Sequence, residues 1–148
     1  MRNRDFYESL HHSKYEQVGS IGDPCVYCGD FSDTLDHLPP ISSVPFVENL
    51  KDLHGEFWLL PACRDCNSAL SNFRITSVEN RQDIVAKRIE RKYAKLFRMP
   101  DWDEDELKQL KGTMRKQVTA SMKLKRIHAT RLAFAKRLSE RTIDEISI

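Results

Sequence analysis

Two short stretches, Cys25-Val-Tyr-Cys28 and Cys63-Arg-Asp-Cys66, decide how this chain is read. In each, two residues separate the cysteines. That spacing lets both sulfurs converge on one ion while the turn between them offers backbone N–H groups to sulfur. Four thiolates complete the tetrahedral shell that zinc prefers and leave no position open, so the expected ion is structural zinc on Cys25, Cys28, Cys63 and Cys66. A redox-active C-x2-C is the rival. Two such motifs together, without alternating strands and helices around them, argue against it. Disulfides are argued against by MRNRDFYESLHHSKY, which lacks the apolar stretch of a secretory signal, so a reducing, cytoplasmic compartment is expected. Thirty-four residues lie between the pairs, long for a zinc ribbon but suited to a treble clef. There the first pair sits on a knuckle and the second at the N-terminus of a helix, which Ser68, Ala69 and Leu70 begin.

Working outward, residues 21–73 are rich in Pro, Gly, Asp and Ser, a texture of small strands and turns built around a metal. Phe57, Trp58, Leu59 and Leu60 read as a strand leading into the second pair. Residues 1–20 read as a short helix and an extended lead-in. From residue 76 the pattern becomes helical. Thr76 with Glu79 is a capping-box signature, and Val85, Ile89, Tyr93, Leu96 and Phe97 recur near helical spacing until Pro100. Asp103 with Glu106 starts a further helix, and Gly112 divides it into a short and a long piece. Leu107, Leu110, Met114, Val118 and Met122 continue an apolar stripe that Ile127, Leu132 and Leu138 extend. The expected fold is α+β: a small treble-clef core of two strands and a helix over 21–73, then a basic helical hairpin over 74–148.

Apolar residues are 40% and charged residues 31% of the 148, a soluble composition with no run long enough to span a membrane. The net charge of +2 hides an asymmetry. Residues 1–73 hold five Lys/Arg and eleven Asp/Glu, a net of −6, while residues 74–141 hold nineteen and nine, a net of +10. A polyanion is drawn to the second half. The plainer alternative is a pair of amphipathic helices with solvated basic faces.

Between the cysteine pairs stands Thr34-Leu35-Asp36-His37-Leu38-Pro39-Pro40, and Asn67 follows the last cysteine. Phosphodiester hydrolysis needs a base for water, a divalent metal for developing charge and a grip on the phosphate. On an extended segment, Asp36 and His37 point to opposite faces, and a twist or bulge would let one hold metal while the other faces water. Asn67 adds a neutral oxygen, and hard oxygen ligands suit Mg²⁺ or Mn²⁺.

This constellation resembles the zinc-containing HNH endonucleases over residues 22–72. The pieces Asp-His-Leu-Pro-Pro, Pro-Ala-Cys-Arg-Asp-Cys-Asn-Ser and Arg-Lys-Tyr-Ala-Lys-Leu-Phe-Arg-Met-Pro-Asp-Trp are similar to small HNH-like proteins of bacteria and phages. The resemblance implies a fold of two strands and a helix around a metal. It implies His37 as general base, with Asp36 and Asn67 as ligands of a catalytic Mg²⁺ or Mn²⁺, and DNA as substrate. The family's central Asn has no counterpart in Glu56–Ala62. Asn49 lies earlier, and His54 or Glu56 are the substitutes at hand. Its absence favours the alternative of a nuclease-derived zinc module that binds nucleic acid or a protein partner without cutting.

Phosphate contact is expected from the basic rows. Arg81, Arg88, Arg91, Lys92, Lys95 and Arg98 crowd the first helix, and Lys123, Arg126 and Arg131 stand among those crowding the second. Trp58 and Trp102 are expected to pack rather than stack on bases.

Overall fold

The computed structural model describes residues 14–41, 55–71, 73 and 77–139. Three strands form one sheet in the order β1-β3-β2: β1 (Glu16–Gln17), β2 (Thr34–Leu38) and β3 (Trp58–Ala62). β1 runs parallel to β3, and β2 runs antiparallel to it, pairing Asp36 with Leu60 and His37 with Leu59. The extended lead-in thus becomes an edge strand. The helices are α1 (Arg64–Leu70), α2 (Val78–Lys92), α3 (Ala94–Phe97), α4 (Glu104–Gln109) and α5 (Gly112–Ser139). The architecture is a small α+β unit, as expected.

Local chemistry explains most boundaries. Cys63 is the N-cap of α1 and its sulfur accepts from the Cys66 N–H, so this helix starts at Arg64, four residues before the expected Ser68. The cysteine that would hold a metal also satisfies one of the helix's unpaired N–H groups. Ser77 caps α2 by accepting from the Asn80 N–H, whereas the expected cap Thr76 lies outside the described residues. The expected helix through Pro100 ends sooner, at Lys92, and a single turn, α3, follows. The break falls at Tyr93, whose ring stacks on His128 of α5 with centroids 3.5 Å apart. Asp103 and Glu106 form the reciprocal capping box expected of them, each bond 2.8 Å. Gly112 opens α5 at φ +59°, a left-handed turn that favours glycine and separates α5 from α4.

The core gathers the four cysteines, Tyr27, Ala62, Leu70, Val85, Ala86, Ile89 and Ala135. The expected stripe on α5 is only partly used: Met114 and Ile127 are exposed, while the charged Arg131 is buried. Arg81, expected among phosphate contacts, is also buried, at 1% exposure. It donates to Asp36 Oδ2 at 2.5 Å and to the Tyr27 hydroxyl at 3.1 Å, and Tyr27 donates to the same Asp36 oxygen at 2.5 Å. Burial first, and the Asp36 charge second, push the Tyr27 phenol well up, so it stays a donor. A buried carboxylate needs such partners, since water no longer solvates it. This network carries α2 onto the sheet.

Removing one member should therefore be costly. Arg81→Met leaves the Asp36 charge uncompensated and is expected to lower unfolding free energy in urea by about 3–5 kcal/mol. Adding Asp36→Leu should recover most of that loss. Equal losses in the single and double variants would show that the ion pair is not the cause.

Candidate metal centre and the strand beside it

The first cysteine pair sits in a tight knuckle. The Cys25 N–H donates to the Asp30 carbonyl at 2.7 Å, and the Gly29 N–H donates to the Cys25 carbonyl at 2.8 Å. Gly29 adopts φ +74°, and a Cβ there would lie 2.7 Å from the Phe134 ring of α5. Only glycine closes this turn and admits that ring. The second pair spans the start of α1. All four cysteines are buried and unbridged, and their sulfurs lie within 4.8 Å of one another. Tetrahedral zinc at 2.3 Å from each sulfur sets an S···S edge of about 3.8 Å. The Cys28–Cys63 separation is 3.7 Å. The donor set and its size fit, so Cys25, Cys28, Cys63 and Cys66 can hold a metal ion such as zinc.

The neighbouring sulfurs also shift one another's ionisation in opposite directions. A hydrogen bond from Cys28 pulls Cys25 down to about 7, and one from Cys25 pulls Cys63 down to about 7. Cys66, set against the other three sulfurs, is pushed up.

Sequence reading missed the residue that completes this centre. Arg131 was expected on an exposed basic row that contacts phosphate. Its guanidinium instead reaches Cys28 Sγ at 3.3 Å, Cys66 Sγ at 3.7 Å and Cys63 Sγ at 3.8 Å. The same group donates to Asp65 Oδ2 at 2.9 Å and meets His128 Nδ1 at 3.0 Å. Lys92, another expected phosphate contact, binds the other Asp65 oxygen at 2.6 Å. Burial opposes ionisation of Asp65, but the bonds from Lys92 and Arg131 hold its carboxyl below the ordinary range. No pattern in the local sequence marks Arg131, because the cysteines and Asp65 that it meets lie more than sixty residues away.

The structure puts Asp36, His37 and Asn67 on adjoining elements. The β2–β3 pairing runs unbroken from Thr34↔Ala62 to Leu38↔Trp58, so no bulge interrupts it and Asp36 and His37 project from opposite faces. Asp36 is buried on the face toward α2, with both of its hydrogen bonds at Oδ2 and none at Oδ1 among the described residues. Asn67 Nδ2 donates to Thr34 Oγ1 at 3.1 Å, which ties α1 to β2 two residues from Asp36. No hydrogen bond engages Asn67 Oδ1 among the described residues. His37 is half-buried and meets the Tyr15 ring edge-on at 5.0 Å. Glu56 is exposed, while Asn49 and His54 lie outside the described residues.

Among the described residues, the four cysteines are the only group of His, Cys, Asp and Glu side chains arranged to hold a metal. Arg88, Arg91, Lys95, Lys123 and Arg126 are exposed and form no ion pair among those residues. Trp58 and Trp102 are half-buried. No described helix is long and apolar enough to cross a membrane. No family model, curated protein or solved structure matches the chain.

The Arg131 contacts make a measurable demand. Arg131→Met removes positive charge beside three thiolates and is expected to weaken zinc binding roughly 10–100-fold, read by competition with a chromogenic chelator. An unchanged affinity would show that the guanidinium contributes only packing. In the wild-type chain, protons compete for the thiolates as pH falls through about 7, so zinc affinity should drop in that direction.

Proposed function

We propose that this chain is an HNH-type nuclease module that hydrolyses phosphodiester bonds of DNA, with a structural zinc on its four cysteines in a treble-clef arrangement. The observation that carries the reading is the pair of unengaged oxygens beside β2. Asp36 is braced at Oδ2 by Arg81 and Tyr27 and keeps Oδ1, and Asn67 is braced through its Nδ2 and keeps its carbonyl oxygen. Ligands oriented this way by outer partners are what a metal site needs. Asp36 and Asn67 would hold Mg²⁺ or Mn²⁺, which when bound supplies positive charge to the phosphate oxygens. His37 takes the proton from the attacking water. Tyr15, packed against its ring, limits the orientations that ring can adopt. The compartment that fits free thiols and a DNA substrate is the cytoplasm of a bacterial cell.

Two observations favour a second reading, a zinc module that binds nucleic acid without cutting it. The Arg81 guanidinium already neutralises Asp36, which opposes a further cation there. His37 and Asp36 also face opposite sides of an unbroken strand.

Incubating supercoiled plasmid with purified protein and Mg²⁺ or Mn²⁺ separates the two. Nuclease action predicts nicked or linear plasmid, with the rate reduced at least about 100-fold in His37→Ala. Intact plasmid in both samples, with salt-sensitive DNA binding kept, would reject the nuclease in favour of the binding module.

A further inference from the structure

Helix α5 contains eight Lys/Arg and no Asp or Glu over its 28 residues. The structure divides those eight cations by face. Arg131 is buried on the cysteines. Lys125 is tied to Asp101 at 2.8 Å and to the Met99 carbonyl at 2.6 Å, and Lys136 is paired with Glu90 at 2.5 Å. The other five, Arg115, Lys116, Lys123, Arg126 and Arg137, are exposed and form no ion pair among the described residues. At 3.6 residues per turn, all five fall within an arc of roughly 100°, while Lys125 and Lys136 lie roughly 120° round from its middle.

Spacing within the arc is regular. Arg115, Arg126 and Arg137 recur every eleven residues, close to three turns. They stand about 16.5 Å apart along the axis with about 20° of drift per step, and the row is about 33 Å long. Thr119, Thr130 and Ala133 lie in the same arc, and Phe134, at its edge, turns onto the knuckle at Gly29. Helix α2 differs: Glu79, Asp83 and Glu90 are interleaved with its bases, and Lys87 is paired with Asp83 at 2.8 Å.

We infer that this face of α5 lies along the sugar–phosphate backbone of duplex DNA, gripping phosphates without reading bases. The occupant follows from charge and length: a row of cations with no interspersed acid complements a polyanion, and its length matches about one duplex turn of roughly 34 Å. Arginine and threonine side chains are standard phosphate donors. The inference rests on the nucleic-acid part of the proposed function and is independent of cleavage.

Its test uses the full zinc-loaded chain carrying His37→Ala, without Mg²⁺ or Mn²⁺, so that hydrolysis plays no part. Binding to a labelled 20-base-pair DNA duplex is followed by fluorescence anisotropy across a salt series. The variant Arg115→Gln/Arg126→Gln/Arg137→Gln should bind at least about tenfold more weakly and flatten the salt slope by about 3. Arg88→Gln/Arg91→Gln/Lys95→Gln, on an exposed basic surface interleaved with acids, should lose clearly less affinity than the α5 variant. Circular dichroism should show both variants folded, since every substituted side chain is exposed. Absent duplex binding by the parent, equal losses in the two triple variants, or unaltered binding by the α5 variant each overturns the inference. So does tighter binding of single-stranded DNA or of duplex RNA than of duplex DNA. A plasmid left uncut, with the α5 dependence intact, refutes only the nuclease.

Discussion

Four sulfurs within 4.8 Å of one another, and the guanidinium of Arg131 laid across three of them, hold the rest of this molecule in place. A unit with so short a sheet cannot bury enough apolar surface to fix its elements by packing alone. The cysteines couple a knuckle, the end of β3 and the start of α1. Arg131 extends that coupling to a helix 28 residues long. Thiolates gathered around one ion carry excess negative charge, and a buried arginine beside them offsets part of it. The same contact therefore compensates the centre and anchors the basic helix.

A second buried charge network, Tyr27–Asp36–Arg81, does for α2 what Arg131 does for α5. Each long helix thus reaches the small core through a buried arginine. Buried ion pairs of this kind add less net stability than their geometry suggests, because desolvation offsets much of the attraction, and specificity of docking is the better-attested gain. At Asp36 the network also bears on chemistry. It orients the carboxylate and leaves one oxygen unengaged, and it places a positive charge where the proposed nuclease needs a cation. These opposing consequences are why one strand supports two functional readings.

Much of this was legible beforehand because local chemistry governs it. Two residues between cysteines, Asp103 three residues before Glu106, and a glycine between two helical runs each act within one turn of chain. Each appears in the structure where its residues predict. Features set by distant partners were not legible. Arg81 and Arg131 read as solvated bases because nothing near them in sequence announces Asp36 or the cysteines. Met114 and Ile127 read as core because their spacing is helical, yet a helix of this length covers only part of its stripe.

The sequence by itself determined a four-cysteine site, an α+β order of elements and an excess of positive charge in the second half. Spacing, capping and composition are properties of neighbours along the chain. Only the tertiary structure decided which cations are sealed in the core and which remain on a face. It also decided that no bulge interrupts the strand carrying Asp36 and His37, and that Asn67 stands beside Thr34. Those outcomes depend on which distant groups meet when water is removed, since a charge taken from water must find a partner wherever the fold supplies one.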